Sequence, residues 1–246
     1  MRYIAVTALS HAGLVRDHNE DSLVVGPWTL SATETETPQT LVFPLGTPLV
    51  VAVADGLGGH PSGEVASALV VRQLAQDGLL LDSEETIRDE VHACNRAVYA
   101  AAARDRELTM MGTTVAGVVI TPDRAYTFNV GDSRVYVVVA GELRQLSVDD
   151  SPALTAGRRS TAIVTQTLGG NPEFTAVDPH IASTQLSGDE RYLVCTDGLT
   201  DLVPPEVLGG VLAEHEDGRA AFELWKSAMA AGGADNVTLA VVRLGT

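Results

Sequence analysis

The chain has 246 residues, 45% of them hydrophobic, which suffices for one folded domain with a sizeable core. Its 32 Asp and Glu outweigh 16 Lys and Arg for a formal net charge of −16, which argues against nucleic acid and anionic membrane surfaces as partners. The two cysteines, Cys94 and Cys195, lack metal-type spacing and are expected as buried thiols, and neither a signal-peptide apolar region nor a membrane-length run is present, so a cytoplasmic protein is expected.

Arg2–Ser10 alternates Tyr3, Ala5, Thr7 and Leu9 against Ile4, Val6 and Ala8, the period of a strand. Gly13–Asp21, GLVRDHNED, is a polar turn crowded with charge, and a short strand follows over Ser22–Val25. Residues 27–48, rich in Thr, Pro and Glu, read as a surface excursion with room for an extra hairpin at Thr40–Phe43. A buried strand over Leu49–Ala54 stops at Asp55, and Gly56, Gly58 and Gly59 then allow backbone to approach a ligand closely. Ser62 is the expected N-cap of a first helix bearing Ala66, Val70 and Leu74. A second helix starts near Asp82 or Ser83, with Ile87, Val91, Cys94 and Val98 on one face.

Strand character returns at Gly112–Thr121 and again where Tyr126, Phe128 and Val130 alternate with Thr127 and Asn129. Gly131-Asp132-Ser133 turns into Val135–Val139, and Ala140-Gly141 turns into Glu142–Leu146, which predicts an antiparallel meander. Residues 147–170 read as a loop or flap. Asp178–Leu186 reads as a weak strand and Arg191–Thr196 as a strong one ending at Asp197-Gly198. Two short helical patterns follow, the second with Phe222, Trp225 and Met229 on one face, and Asp235-Asn236 opens a last strand over Val237–Arg243. No repeat or linker divides residues 1–246, so a single α+β domain of layered antiparallel sheet and helices fits best.

Five aspartates share one position type, beside an apolar strand and next to a turn: Asp21, Asp55, Asp132, Asp197 and Asp235. Each alone is an ordinary turn-former. If those ends lie together, the charges repel by several kcal/mol at intermediate dielectric, and bound cations or raised pKa values would relieve the repulsion. Carboxylates with backbone carbonyls, and no His/Cys cluster, suit hard ions such as Mg²⁺ or Mn²⁺. An Asp shared by two such ions is the core of two-metal hydrolysis. Asp55 is the best placed to bridge, because Gly56 beside it can turn its carbonyl toward a metal.

The motifs GLVRDHNEDS, VADGLGGHPSGEVAS, MGTT (Met111–Thr114), VGDSRVY, LVCTDGLTD and GGADNVT, in this order, resemble those of the bacterial metal-dependent protein phosphatases of the type-2C (PPM) family. The resemblance runs through nearly the whole chain. It implies a four-layer αββα sandwich with two antiparallel sheets at the centre and helices on both outer faces. It implies hydrolysis of phosphoserine and phosphothreonine monoesters by water activated at a dinuclear Mn²⁺ or Mg²⁺ centre. Asp55 would bridge the two core metals and the Gly56 carbonyl would bind the first. Asp197 and Asp235 would hold the second, with Asp21, helped by Glu20, acting directly or through water. Asp132 matches the aspartate that helps bind a third, weaker metal, and Arg16 would hold the substrate phosphate. Partners would be phosphorylated Ser/Thr proteins and a cognate Ser/Thr kinase, with the phosphatase itself a monomer.

The sequence departs from the family in two places. Many eukaryotic relatives carry a His directly after the metal-binding Asp-Gly, where this chain has Leu57. His60, three residues on, is then either the general acid or a residue that orders the loop. The flap at 147–170 is short, and Arg158 and Arg159 within it either draw in a phosphorylated segment or are simply solvated. Two rival readings keep the same fold: a catalytically weak sensor or binding module, and a phosphatase of small metabolites.

Overall fold

β-Branched and small apolar residues dominate the strand-forming runs, and in a computed structural model, which describes residues 2–57, 62–152, 163–188 and 190–245, these runs pair almost entirely antiparallel. The first half of the chain forms β1 (Tyr3–His11), β2 (Ser22–Val25), β3 (Trp28–Ser31), β4 (Gln39–Pro44), β5 (Leu49–Ala54), β6 (Gly56–Leu57), α1 (Ser62–Asp77) and α2 (Glu84–Ala102). Then come β7 (Gly112–Thr113), β8 (Val115–Ile120), β9 (Arg124–Val130), β10 (Arg134–Val139), β11 (Glu142–Gln145), β12 (Leu168–Gly169), β13 (His180–Gln185) and β14 (Arg191–Cys195). The chain ends with α3 (Asp197–Thr200), α4 (Pro205–Glu214), α5 (Asp217–Ala230) and β15 (Val237–Gly245).

Two six-stranded sheets, ordered β11-β10-β14-β15-β1-β4 and β13-β9-β8-β5-β2-β3, lie face to face, and a small sheet β12-β7-β6 flanks them. Side chains alternate between the two faces of a strand. In β5, Leu49, Val51 and Val53 join the core between the sheets, while Val50, Ala52 and Ala54 join a second core that includes Ile87, Val91 and Val98 of α2. In β15, Ala240, Val242 and Leu244 face inward, and Val237, Leu239 and Val241 pack with Leu208 and Leu212 of α4 and Leu224 of α5. Burial on both faces is why these strands are continuously apolar. The architecture is the αββα sandwich.

Several local expectations change. Residues 27–48 hold no local hairpin at Thr40–Phe43. β3 pairs with β2, whereas β4 pairs with β1 in the other sheet, so this segment supplies an edge strand to each sheet. Its exposed, Thr- and Pro-rich composition suits an edge. The expected meander is also broken: β8–β9 and β10–β11 are hairpins in different sheets, and Gly131-Asp132-Ser133 carries the chain from one sheet to the other. Ser62 begins α1 and donates its hydroxyl to the Glu107 carbonyl at 2.9 Å, so the helix start it marks is correct but its capping role is not. Ser83 does cap α2, accepting from Thr86 N–H at 3.2 Å while Thr86 Oγ1 accepts from Ser83 N–H at 3.1 Å.

At one end of β14 and β15, Arg191 and Arg243 are cross-strand neighbours, and Asp217 at the start of α5 meets them at 2.6 and 3.0 Å. With Glu216, which lies 3.3 Å from Arg243, this carboxylate balances the two crowded cations and ties the helix to the sheet. Cys94 and Cys195 are free and buried. Among the described residues no helix is long and apolar enough to cross a membrane.

The two-residue turn between β10 and β11 holds Ala140 at φ 51° and Gly141 at φ 81°. Positive φ at both central positions is the type I′ pattern, which favours Asn or Gly at the first. Ala140→Asn should therefore stabilise the protein by about 0.5–1 kcal/mol, read as a higher denaturant midpoint at unchanged slope. A lower midpoint would contradict this account of the turn.

Candidate metal centre

A strand end is where a side chain can leave a buried sheet and still be held rigidly. Asp55 directly follows β5, and Asp21 directly precedes β2; the register pairs Ser22 with Ala54, so the two carboxylates emerge at the same end. Asp197 follows β14 by two residues and Asp235 precedes β15 by two, with Cys195 paired to Leu239. Stacking of the sheets brings both pairs to one cavity of about 230 Å³, where Arg16, Glu20, Asp55, Asp132, Asp197 and Asp235 line the wall. Gly56 and Leu57 line it too. Asp21 lies behind them, 1% exposed.

The threonines next to these aspartates hold them in place. Asp55 N–H donates to Thr114 Oγ1 at 3.1 Å, and the Asp55 carbonyl accepts from Thr113 Oγ1 at 2.8 Å and Thr114 N–H at 2.9 Å. Thr196 Oγ1 donates to Asp21 Oδ2 at 2.8 Å and itself accepts from Thr238 N–H at 3.0 Å. Asn236 stitches the charged turn to the last strand: its Oδ1 accepts from Glu20 N–H at 2.9 Å, and its Nδ2 donates to the carbonyls of Ala12 at 3.0 Å and His18 at 2.9 Å. Sequence reasoning missed Thr114, Thr196 and Asn236 as site residues. The available signal for Thr196 and Asn236 was a Thr or Asn adjoining a strand-end aspartate in LVCTD and ADNVT; Thr114 adjoins no aspartate and had no such signal.

Gly56 is required for a different reason from the one its sequence suggests. A Cβ there would run into the carbonyl oxygen of Gly63 and, at 2.7 Å, that of Glu20. The close approach is between loops of the protein itself. Gly58, Gly59 and His60 lie outside the described residues, as do Arg158 and Arg159.

Arg16 is the one cation among the described lining residues, and its Nη2 sits 2.7 Å from Asp235 Oδ2. The remaining carboxylates are crowded and dry. Burial pushes Asp21 up to about 7, against hydrogen bonds from Thr238 and Thr196. Burial, and then the charges of Asp132 and Asp201, push Asp197 up to about 8. Burial pushes Asp132 up to about 6. Asp55 stands well above the ordinary carboxylate range through burial, then through Asp197, Asp21 and Asp235, and it lies within hydrogen-bonding reach of Asp197.

These residues fit hard divalent cations. The donors are carboxylates and backbone oxygens, and Asp21 Oδ1 is buried with no partner among the described residues. Among the described residues no three Asp, Glu, His or Cys side chains close on one point. The ions would therefore complete their shells with water, as Mg²⁺ commonly does, and the first of them with the Gly56 carbonyl as well.

Residues 42–232 match the family model described as protein phosphatase 2C. The serine/threonine protein phosphatase PstP of Mycobacterium tuberculosis is 32% identical over 253 residues, covering 95% of this chain and 44% of that protein. This chain thus spans less than half the length of that relative. The serine/threonine phosphatase Stp of Listeria welshimeri is 30% identical over 215 residues, covering 78% of this chain and 83% of that protein. Among solved structures, the catalytic domain of PstP in complex with 2 manganese ions superposes with a TM-score of 0.80 at 30% identity, covering 100% of both chains. The S. agalactiae serine/threonine phosphatase gives 0.79 at 27% identity, covering 98% of this chain and 99% of its own.

The raised carboxyls carry a sign. From the ordinary value of 3.8 up to about 8, the folded metal-free chain retains protons that the unfolded chain releases, so its stability falls as pH rises through that window. The melting midpoint in chelator should fall between about pH 5 and about pH 8, and less steeply in Asp197→Asn. Added Mn²⁺ should raise the midpoint most at the alkaline end. A flat or rising midpoint in chelator, with no Mn²⁺ effect, would contradict this electrostatic account.

Proposed function

The chain belongs to the protein phosphatase 2C family, and we propose that it is a metal-dependent hydrolase of phosphoserine and phosphothreonine monoesters in proteins. One observation carries this reading: Asp55, Asp197 and Asp235, from the ends of β5, β14 and β15, line one cavity with Asp21 of β2 directly behind them, and Arg16 is the one arginine among the described lining residues. A degenerate sensor would be expected to have lost one of them, and all four are in place.

Asp55 would bridge two Mn²⁺ or Mg²⁺ ions, the Gly56 carbonyl would join the first, and Asp197 and Asp235 the second. Asp21 would act directly or through water, and Asp132 would help hold a third, weaker ion. When bound, such ions supply positive charge for the phosphoryl oxygens and activate a water.

Arg16 binds the phosphate. Its guanidinium has five N–H donors in a planar fork, so one edge can keep Asp235 while the other takes a phosphoryl oxygen. Arg16 is 54% exposed and Asp235 39%; a site this open suits phosphate carried on a polypeptide better than an engulfed metabolite. Leu57 has no proton to give the departing alkoxide. His60 is the candidate donor, through an imidazole nitrogen, with water as the substitute. We place the protein in the cytoplasm as a monomer that acts on the products of a Ser/Thr kinase.

Hydrolysis of a phosphopeptide should require Mn²⁺ and vanish in Asp55→Ala and in Asp197→Ala. Arg16→Ala should lower kcat/KM about 10- to 100-fold, the worth of a charged hydrogen bond, and Arg16→Lys should restore it only in part because an ammonium cannot form the two-edged contact. Full activity in excess chelator, or in either Asp variant, would overturn this mechanism.

A further inference from the structure

Beside the cavity, another, partly buried carboxylate gathers three separate segments. The Asp150 side chain is 12% exposed. Its Oδ2 accepts from Gly131 N–H at 2.9 Å and from Gln166 Nε2 at 3.0 Å, and its Oδ1 lies 2.9 Å from His180 Nε2. Its own N–H donates to the Gly131 carbonyl at 3.0 Å, and its carbonyl accepts from Thr165 N–H at 2.7 Å. Two of these contacts adjoin a wall of the candidate site: Asp132 follows Gly131 and Val164 precedes Thr165, and both line the cavity.

Gly131 needs this support. At φ +101° it carries the chain between sheets, outside any ladder, so its amide must find a partner elsewhere. Neighbouring bonds lay residues 148 and 149 along the same turn. Asn129 exchanges hydrogen bonds with Val148 at 2.7 and 3.1 Å, and Arg134 grips Asp149 at 2.6 to 3.1 Å.

We propose that Asp150 is a positioning residue for the reaction: by clasping Gly131 and Gln166 with its side chain it fixes the neighbouring Asp132 and Val164 relative to each other. It thereby sets the affinity of the weakest cation position and the seat of the phosphopeptide. What the cavity holds rests on the phosphatase reading; the clasp itself does not. The chemistry needs an acceptor toward Gly131 and Gln166 but tolerates a donor toward His180, whose neutral ring can present Nε2 as an acceptor. Asn therefore can replace Asp, and Ala cannot.

The test compares Asp150→Ala and Asp150→Asn with the parent chain. Amide exchange is followed at Gly131, Thr165 and the β14–β15 pair, Mn²⁺ binding by calorimetry, and kinetics on a phosphopeptide and a small aryl phosphate. In Asp150→Ala, exchange should quicken most at Gly131, whose amide loses its acceptor, and less at Thr165, whose bond to the residue-150 carbonyl remains, but not in β14 or β15. The weakest Mn²⁺ affinity should fall about 10- to 100-fold, as when an outer partner of a ligand is removed. KM for the phosphopeptide should rise, with kcat on the aryl phosphate at saturating Mn²⁺ little changed, and Asp150→Asn should stay near the parent in every readout. Unchanged Mn²⁺ binding and KM despite loosened amides would overturn the proposal, as would uniform loss of protection across β14 and β15. Should Asp150→Ala fail to fold, Gln166→Ala removes one contact of the same carboxylate. It should give a smaller rise in phosphopeptide KM, and no rise would count against the clasp. A parent chain that neither binds Mn²⁺ nor turns over a phosphopeptide would defeat the phosphatase reading, and the exchange measurements would still decide whether Asp150 fixes the wall.

Discussion

Mutual repulsion among carboxylates held out of water is the constraint on which the rest of this structure depends. Asp21 is buried, with Asp55 and Asp197 half-buried near it, and Arg16 is the one cation lining their cavity among the described residues. Left to relax, such groups would move apart or turn to solvent. They do not, because each is fastened through its backbone to a strand paired on both sides, and because Thr113 and Thr114 hydrogen-bond the Asp55 backbone and Thr196 the Asp21 carboxylate. The fold spends stability at this end, and on the proposed function this keeps a cation site preorganised, a familiar exchange between stability and activity.

Elsewhere the protein handles crowded like charges differently. Arg191 and Arg243 are as closely placed as neighbouring strands allow, yet Asp217 and Glu216 neutralise them from α5. Nothing from outside the chain is needed there. The contrast separates a structural charge cluster from a functional one: the first is balanced within the chain, and the second is left anionic. Asp150 is an intermediate case, a carboxylate balanced by N–H donors that spends its acceptors on holding neighbours of the cavity in place.

The parts of this arrangement that were legible in the sequence are those with local causes. The doubly buried strands β5 and β15 show as unbroken apolar runs, α2 announces its start through Ser83, and each strand-end aspartate stands out against its apolar neighbours. Partner choice over distance was not legible. A turn at Gly131–Ser133 signals a reversal without saying that β10 will join the other sheet, and the short pattern of β4 does not reveal β1 as its neighbour. Asn236 and Asp150 were passed over for a related reason. Each looks like an ordinary loop residue until the segments it joins, up to 224 positions apart for Asn236, are brought together.

The pairing of β1 with β15 has a consequence for synthesis. Tyr3 lies opposite Gly245 and His11 opposite Val237, and Arg16 meets Asp235 across 219 positions. A ribosome delivers β1 long before its partner exists, so that strand waits with an unmatched edge while most of the chain is translated. Pairings this remote in sequence are slow to form and exposed to aggregation until they do. The last carboxylate reaches the cavity only when the sheet closes, so a nascent chain has no working site to act on its surroundings before the fold is complete.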